Sequence, residues 1–354
     1  KYAKADVLDA PMEAAKPEKE RQMLTTATVQ KSTMKAVVCP RYGSPDVLEL
    51  QEVDKPVVKD DDVLVRVKAA SVNALDWRLL SLPYLFRILG NTGLFRPKRK
   101  IWGVDLAGRV EAVGKNITQL RPGDEVFGMR AGAFAEYVCV REDRLVRKPP
   151  DLSFEQAAAI PVAASTALQG LRDKGRIRPG QKVLINGASG GVGTFAVQIA
   201  KSFGAEVTGV CSKRNVDLVR SLGADHVIDY TQEDFTKSGQ RYDLILDNVG
   251  NRSLSDCRRV LTSNGILVLA GAPKSGHRIL ARLVKAFFLS RFLKQKLVSF
   301  MAKNSQADLV VLKELIEAGK VTPVIDRRYP LSQAPDAVRY LEEGHPRAKV
   351  VITV

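Results

Sequence analysis

The sequence has few of the residues that build a metal centre or a disulfide framework. It contains four cysteines and three histidines among 354 residues. The cysteines lie far apart and none belongs to a CxxC pair, so neither a metal cluster nor a disulfide scaffold is expected. Reduced, mostly buried thiols in a cytoplasmic protein are the better interpretation. The four are Cys39, Cys139, Cys211 and Cys257.

Long apolar runs are also missing. No segment approaches the roughly 20 apolar residues that a membrane-spanning helix needs. Residues 1–33 carry mixed charge and lack the apolar core of a signal peptide, which predicts a flexible extension or a remnant of expression. A hydrophobic share of 45% and a charged share of 27% are typical of a globular chain, and the length is sufficient for two domains.

Acidic residues are absent from two long segments of a basic chain. The formal net charge is +16, and residues 77–104 and 274–303 hold six and eight basic residues without an acid. Residues 278–288 are predicted to form a helix with one basic and one apolar face. Such a helix can cover a cleft or lie on an anionic membrane, and we favour the cover. A third interpretation is that both segments flank the cleft and attract an acidic substrate.

The predicted secondary-structure pattern of the sequence changes near residue 160. Before this point, short strand-like runs at residues 35–39, 63–69, 108–113 and 136–140 are separated by turn signals, which predicts a small β-rich domain. After it, strand-like and helix-like segments alternate. This alternation is typical of a doubly wound parallel sheet with helices on both faces, so the fold class is α/β.

A glycine-rich turn lies where the first strand of the alternating region ends. The run VLINGASGGVGTFAVQIAK begins at Val183 and passes from an apolar strand to a helix pattern. Such a turn lets a pyrophosphate approach the backbone at a helix N-terminus, which predicts a dinucleotide site. Gly187 is expected to make the turn and Gly193 to let helix and strand pack closely. Gly190 and Gly191 are expected to admit the phosphates.

The end of the next strand has no carboxylate. An NAD site usually places an acidic residue there to bind the ribose hydroxyls. This chain instead has Ser212, Lys213, Arg214 and Asn215. Two cations and two polar side chains favour a 2′-phosphate, so the predicted cofactor is NADPH. The alternative is that Lys213 and Arg214 only start a solvated helix.

Motifs spread over the chain beyond residue 33 resemble the zinc-free quinone oxidoreductase and enoyl reductase branch of the medium-chain dehydrogenase/reductases. The resemblance implies a GroES-like catalytic domain at residues 34–160 that resumes at 301–354, with a Rossmann nucleotide-binding domain at 161–300. It also implies a homodimer paired through an edge strand near residues 296–300. The matching motifs are MKAVV, KAASVNALDW, GVDLAGRVEAVG, RPGDEVFG, AGAFAEYV, AAAIPVAASTALQGL, NGASGGVG, LGADHVIDY and RAKVVITV.

The zinc ligands of the alcohol dehydrogenases in this family are missing. The stretch from Asn73 to Asp76 contains no cysteine, and Val104 and Asp105 stand where those enzymes have His-Glu. The three histidines are too scattered to replace them. Without a Lewis acid, oxidation of an alcohol is not expected. We therefore predict an enzyme that transfers a hydride to an activated acceptor, which is the C=C bond of an enal or enone, or a quinone.

The resemblance also implies where side chains meet the cofactor. It places Asn73 and Thr166 beside the nicotinamide, Tyr230 near the adenosine phosphate and Asp76 on the cleft wall. For Asp76, a role as a helix-cap carboxylate is an equal alternative. The candidate catalytic residues are Asn73, Asp76 and Tyr84. The candidate cofactor-binding residues are Asn73, Thr166, Gly187, Ser189, Gly190, Gly191, Val192, Ser212, Lys213, Arg214, Asn215, Tyr230, Asn248, Gly271 and Lys349; no metal ligand is predicted.

A hypothesis from a different class stays open. The protein could be an NADPH-binding module that acts mainly through RNA or an anionic membrane, with weak catalysis, because the charge of +16 is compatible with phosphate contacts. The basic segments lack the interleaved aromatic residues that single-strand binding normally uses. We therefore do not expect a nucleic-acid partner.

Overall fold

The structure is a computed structural model with three sheets, of two, six and seven strands. It describes residues 32–81, 92–98, 100–271, 294–344 and 346–354. The predicted extension lies outside the described residues, except for its last two positions. Tyr84 and the predicted helix at residues 278–288 also lie outside them.

Short strands dominate the first part of the chain, as the alternating pattern predicts. Helix α1 follows the long strand β3, and helix α2 leads into the second part of the chain. The elements are β1 (Thr33–Val38), β2 (Glu49–Asp54), β3 (Asp62–Val72), α1 (Ala74–Leu80), β4 (Asp105–Val113), β5 (Glu125–Met129), β6 (Tyr137–Arg141), β7 (Leu145–Arg147) and α2 (Phe154–Ala158).

The second part contains a six-stranded parallel sheet in the order β10-β9-β8-β11-β12-β13. This is the strand order of a Rossmann fold, which confirms the predicted fold class. A π-helical turn, Gln169–Lys174, continues the first helix. The elements are α3 (Pro161–Leu168), β8 (Lys182–Asn186), α4 (Gly191–Ser202), β9 (Glu206–Cys211), α5 (Val216–Ser221), β10 (His226–Asp229), β11 (Tyr242–Asp247), α6 (Leu254–Arg259), β12 (Leu261–Leu269) and β13 (Lys296–Ser299).

The chain then returns to the β-rich part that precedes residue 160. It forms α7 (Gln306–Glu317), β14 (Ile325–Pro330), α8 (Ala334–Glu343) and β15 (Lys349–Thr353). Strand β15 pairs with β14 and with β3, so the final residues complete a seven-stranded GroES-like sheet. As a result, the C-terminal segment runs from the parallel sheet into the seven-stranded sheet, where β15 lies between β14 and β3.

One hydrophobic core joins the two parts of the protein. Ala69 and Phe127 of the seven-stranded sheet lie in the same buried cluster as Leu168 of α3 and Phe195 of α4. All four side chains are fully buried. A continuous core of this kind fixes the position of one sheet relative to the other, because a close-packed interior resists sliding. The cleft between the sheets therefore has a defined shape.

The four cysteines are not paired in disulfides, as predicted from their spacing. Burial raises the pKa of the Cys39, Cys139 and Cys211 thiols to about 11. A pKa of this size leaves only about one thiolate in 10⁴ at neutral pH. We expect Ellman's reagent to label the native protein slowly and to label four thiols after unfolding. Rapid labelling of any native thiol would contradict this arrangement.

Candidate active site

A cleft of about 490 Å³ opens at the carboxyl ends of β8, β9 and β11. This is the point at which the strand order of the parallel sheet reverses, where ligands bind in doubly wound folds. The opposite wall comes from the start of α1 and from the segment before β15. The volume is in the usual range for a small-molecule or cofactor site. Predicted residues that line the cleft are Asn73, Gly187, Ser189, Gly190, Gly191, Val192, Ser212, Arg214, Asn215, Tyr230, Asn248 and Lys349.

The glycine turn forms the floor of the cleft. Gly187 has φ of +79°, a conformation that favours glycine, and its carbonyl accepts the N–H of Gly190 at 3.2 Å. Helix α4 starts at Gly191, so the N–H groups of its first turn have no partner within the helix. A Cβ on Gly193 would lie 2.0 Å from the Gly187 carbonyl oxygen. The turn thus exposes a helix N-terminus that suits an anion.

The end of β9 meets this turn through one asparagine. The Asn215 amide donates to Ser189 Oγ and to Ser212 Oγ, both at 3.1 Å. Both Lys213 and Arg214 are exposed, but only Arg214 lines the cleft next to these contacts. The structure therefore separates two cations that were predicted together. Arg214 is the one positioned to meet a ligand in the cleft.

Two side chains in the cleft contain buried polar atoms without a protein partner in the part of the chain that the structure describes. Both polar atoms of the Asn248 amide and the Asn215 Oδ1 atom are in this state. An unpaired buried polar atom costs about 1–3 kcal/mol, so these atoms fit a site that a polar ligand completes. Together with the open glycine turn, they fit the ribose and phosphate groups of a dinucleotide.

The predicted nicotinamide side is built by the start of α1. The Asp76 carboxylate accepts the Asn73 backbone N–H at 2.8 Å and is fully buried, so it caps the helix that holds Asn73 in place. This contact supports the helix-cap interpretation of Asp76. Trp77 and Arg78, on the next turn of α1, line the cleft beside Asn73.

Three predicted cofactor residues do not line the cleft. Besides Lys213, they are Thr166, whose hydroxyl donates to the Val162 carbonyl at 2.7 Å, and Gly271. The backbone of Gly271 passes so close to Asn248 that a Cβ would lie 1.8 Å from the Asn248 carbonyl oxygen. Gly271 therefore supports the position of Asn248 by close packing.

Sequence reasoning missed the segment that closes the cleft. The Ala348 N–H donates to the Ser189 carbonyl at 2.7 Å, and Ala348 has φ of +70°. A residue other than glycine in this conformation costs about 1–3 kcal/mol, and such strain is concentrated at functional sites. The sequence carries no signal for it, because alanine is ordinary in a strand-like run. The buried Ser71 and Asp105 beneath Asn73 were also missed.

Neither a metal cluster nor a spanning helix is found within the described ranges. No group of three or more His, Cys, Asp or Glu side chains there is arranged to hold a metal ion. No described helix is both long and apolar enough to cross a bilayer.

Two family models match separate stretches of the chain. Residues 59–150 match the model of the alcohol dehydrogenase GroES-like domain, and residues 222–352 match a model described as zinc-binding dehydrogenase. A 2-methylene-furan-3-one reductase of Solanum lycopersicum is 36% identical, over 91% of this chain and 79% of the relative. A chloroplastic NADPH-dependent alkenal/one oxidoreductase of Arabidopsis thaliana is 33% identical, over 90% and 79%. The solved quinone oxidoreductase of Coxiella burnetii is 31% identical with a TM-score of 0.78, over 91% and 100%.

Proposed function

This chain belongs to the medium-chain dehydrogenase/reductase family, in its quinone oxidoreductase branch, and from this premise we propose an NADPH-dependent reductase. It transfers a hydride to an activated acceptor, which is the C=C bond of an α,β-unsaturated carbonyl or a quinone, and does so without zinc. The proposal rests mainly on one observation: the glycine turn, Arg214 and Asn73 all line the same cleft. The relatives support both acceptor classes by their names, which are 2-methylene-furan-3-one reductase, NADPH-dependent alkenal/one oxidoreductase and quinone oxidoreductase.

The residues present fit NADPH along the whole cleft. The first turn of α4 would hold the pyrophosphate through backbone N–H groups and the positive end of the helix dipole. Arg214 would pair with the 2′-phosphate, which an acidic residue at this position would repel. Both polar atoms of the Asn248 amide and the Oδ1 atom of Asn215 would form hydrogen bonds with the ribose and phosphate groups.

When bound, NADPH supplies a hydride from C4 of its nicotinamide. The protein contributes mainly orientation, because Asn73 and the glycine turn hold the two ends of the site on rigid elements. Negative charge then develops on the acceptor oxygen, and a donor placed there contributes about 3 kcal/mol. Trp77 and Arg78 line the same wall as Asn73 and are the nearest candidates to meet the acceptor.

A panel of acceptors tests this function. We expect the purified protein to oxidise NADPH in the presence of a short enal, a cyclic enone or a naphthoquinone, and not with a saturated ketone of similar size. NADH serves as the control and is expected to support slower turnover. A protein that reduces the saturated ketone as fast as the enone would contradict the proposal, and so would one that turns over none of the four.

Removal of metal ions is expected to leave activity unchanged. The described residues bring together no set of zinc ligands, and hydride transfer to an activated acceptor does not need a Lewis acid. Dialysis against a strong chelator should leave kcat within error of the untreated enzyme, and elemental analysis should find far less than one zinc per chain. Loss of activity that added Zn²⁺ restores would overturn the zinc-free assignment.

Several further properties stay predictions. Strand β13 ends the parallel sheet in the described chain, where the predicted homodimer would form. Most of the basic segment 274–303 lies outside the described residues, so its role as a cover or a membrane contact is untested. The same holds for a cytoplasmic location, since one relative is named a chloroplast protein. The division into domains at residues 160 and 300 also remains an expectation.

A further inference from the structure

A fully buried carboxylate lies beneath the predicted nicotinamide side of the cleft. Asp105, the first residue of β4, is 0% exposed. One of its oxygens accepts hydrogen bonds from Ser71 Oγ at 2.8 Å and from Asn73 Nδ2 at 2.9 Å. The other accepts the backbone N–H of Val162 in the first turn of α3 at 3.0 Å. Asp105 therefore joins the β-rich part, Asn73 and the first helix of the nucleotide-binding part.

A buried lysine completes this cluster from the other end of the chain. Lys349, the first residue of β15, is 3% exposed. Its ammonium donates to Asn73 Oδ1 at 2.7 Å and to the Val72 carbonyl at 3.1 Å, and lies 3.5 Å from an Asp105 oxygen. Its aliphatic part rests on the glycine turn, since a Cβ on Gly191 would lie 3.0 Å from Lys349 Cδ. One side chain thus touches both ends of the cleft.

A contribution to folding stability does not by itself explain why this ion pair is present. Burial raises the pKa of Asp105 and lowers the pKa of Lys349, so the interior favours the neutral form of each group. Their mutual attraction and their hydrogen bonds oppose this, and the nearby Asp76 carboxylate adds to this opposing effect at Lys349. Apolar residues of similar volume often give a buried site equal or better stability. A costly charge pair at the wall of a cleft points to a role in the site.

The pair determines which way the Asn73 amide faces. Its oxygen points at the Lys349 ammonium, and its NH₂ group points at the Asp105 carboxylate. A flipped amide would place NH₂ against the ammonium and oxygen against the carboxylate, which creates two repulsive contacts in a low-dielectric interior. Neither contact requires a ligand, so Asn73 is oriented before the cofactor binds.

We propose that the buried Asp105–Lys349 ion pair is a positioning device that holds the Asn73 amide in one orientation and couples it to the glycine turn. Lys349 is then a positioning residue for hydride transfer, and its ammonium is committed to Asn73, Val72 and Asp105. This inference rests on the proposed function, because it concerns the same cleft. It assigns to Lys349 a role different from direct binding of the cofactor.

The test replaces Lys349 by methionine, which has a similar volume and no charge. We expect kcat with NADPH and a cyclic enone to fall about 10- to 100-fold, since a misoriented group beside the reacting atoms costs this much. The NADPH dissociation constant, measured by fluorescence, should stay within about threefold of wild type, because hydrogen bonds that bind phosphate are retained. A large loss of NADPH affinity with unchanged kcat would overturn the proposal.

Lys148 supplies a matched control for the loss of a buried lysine. It is 8% exposed, pairs with Glu125 at 3.2 Å and donates to the Leu152 carbonyl at 2.6 Å, and it does not line the cleft. Lys148→Met should lower the melting temperature and leave kcat unchanged. If Lys148→Met lowers kcat as strongly as Lys349→Met does, the effect is general destabilisation and the positioning role is wrong.

If the single variant does not fold, the double variant Asp105→Asn, Lys349→Met is used for the same test. It removes both charges and leaves no unpaired ion in the interior. We expect thermal denaturation of the cofactor-free protein to show recovered stability while kcat stays low, because the amide has lost the donor that fixes its oxygen. Recovery of kcat together with stability would overturn the inference. Failure of the wild-type protein to reduce any acceptor is a separate result, which refutes the proposed function.

Discussion

Replacing Gly193 by alanine is expected to weaken NADPH binding strongly and to destabilise the protein. The new Cβ would lie 2.0 Å from the Gly187 carbonyl oxygen and 2.7 Å from backbone atoms of Ala188, and backbone cannot move aside as a flexible side chain does. Overpacking of this kind costs about 1–3 kcal/mol or more. The displaced turn also loses the aligned N–H groups for phosphate, which corresponds to at least about a 100-fold weaker NADPH affinity.

Gly180 offers the control for this substitution. It has φ of +77° in the same part of the fold, but a Cβ there would meet nothing within 4 Å. Gly180→Ala should therefore cost only the left-handed backbone strain, about 1–2 kcal/mol, and leave NADPH affinity unchanged. Chemical denaturation and NADPH fluorescence titration measure both quantities. Equal behaviour of the two variants would show that the glycine turn does not bind the cofactor.

Arg214→Ala is expected to remove most of the preference for NADPH over NADH. Hydrogen bonds to a charged partner contribute about 1.5–3 kcal/mol, so NADPH affinity should fall about 10- to 100-fold. NADH affinity should change little, because NADH has no 2′-phosphate. The ratio of kcat/KM for the two cofactors is the quantity to measure.

For the neighbouring Lys213, the structure and the sequence pattern lead to different expectations. Because Lys213 does not line the cleft, Lys213→Ala should cost at most about fivefold in NADPH affinity, which is the size of a solvent-exposed charge interaction. Arg220→Ala on the exposed side of α5 serves as a charge-matched control and should have no effect. Equal losses for Lys213 and Arg214, or no loss for Arg214, would contradict the proposed 2′-phosphate contact.

The fold followed from local patterns that need no knowledge of distant contacts. The glycine run after Val183 predicts a strand, a tight turn and a helix, and β8 and α4 have these positions. The strand-like runs around residues 63–69 and 108–113 became β3 and β4, which are longer than predicted. Local turn chemistry and hydrophobic periodicity are sufficient for such elements, because each depends on neighbouring residues.

The interior of the site could not be predicted in the same way. Lys349 and Asn73 are 276 positions apart, and only the pairing of β15 with β3 brings them together. From sequence, Asp105 was notable only for standing where zinc-dependent relatives have a metal ligand. Lys213 and Arg214 are adjacent in sequence, yet the short turn at Lys213–Asn215 directs only one of them towards the cleft. Such facts depend on tertiary packing, which a single sequence does not encode in a readable pattern.

The fate of the transferred hydride tests the central claim most directly. NADPH carrying deuterium at the transferable C4 position should be incubated with the enzyme and a cyclic enone, and the product examined by NMR. We expect deuterium at the β-carbon of a saturated ketone, a proton from water at the α-carbon and an intact carbonyl group. Deuterium on the carbonyl carbon of an allylic alcohol, or a product without deuterium, would contradict this claim.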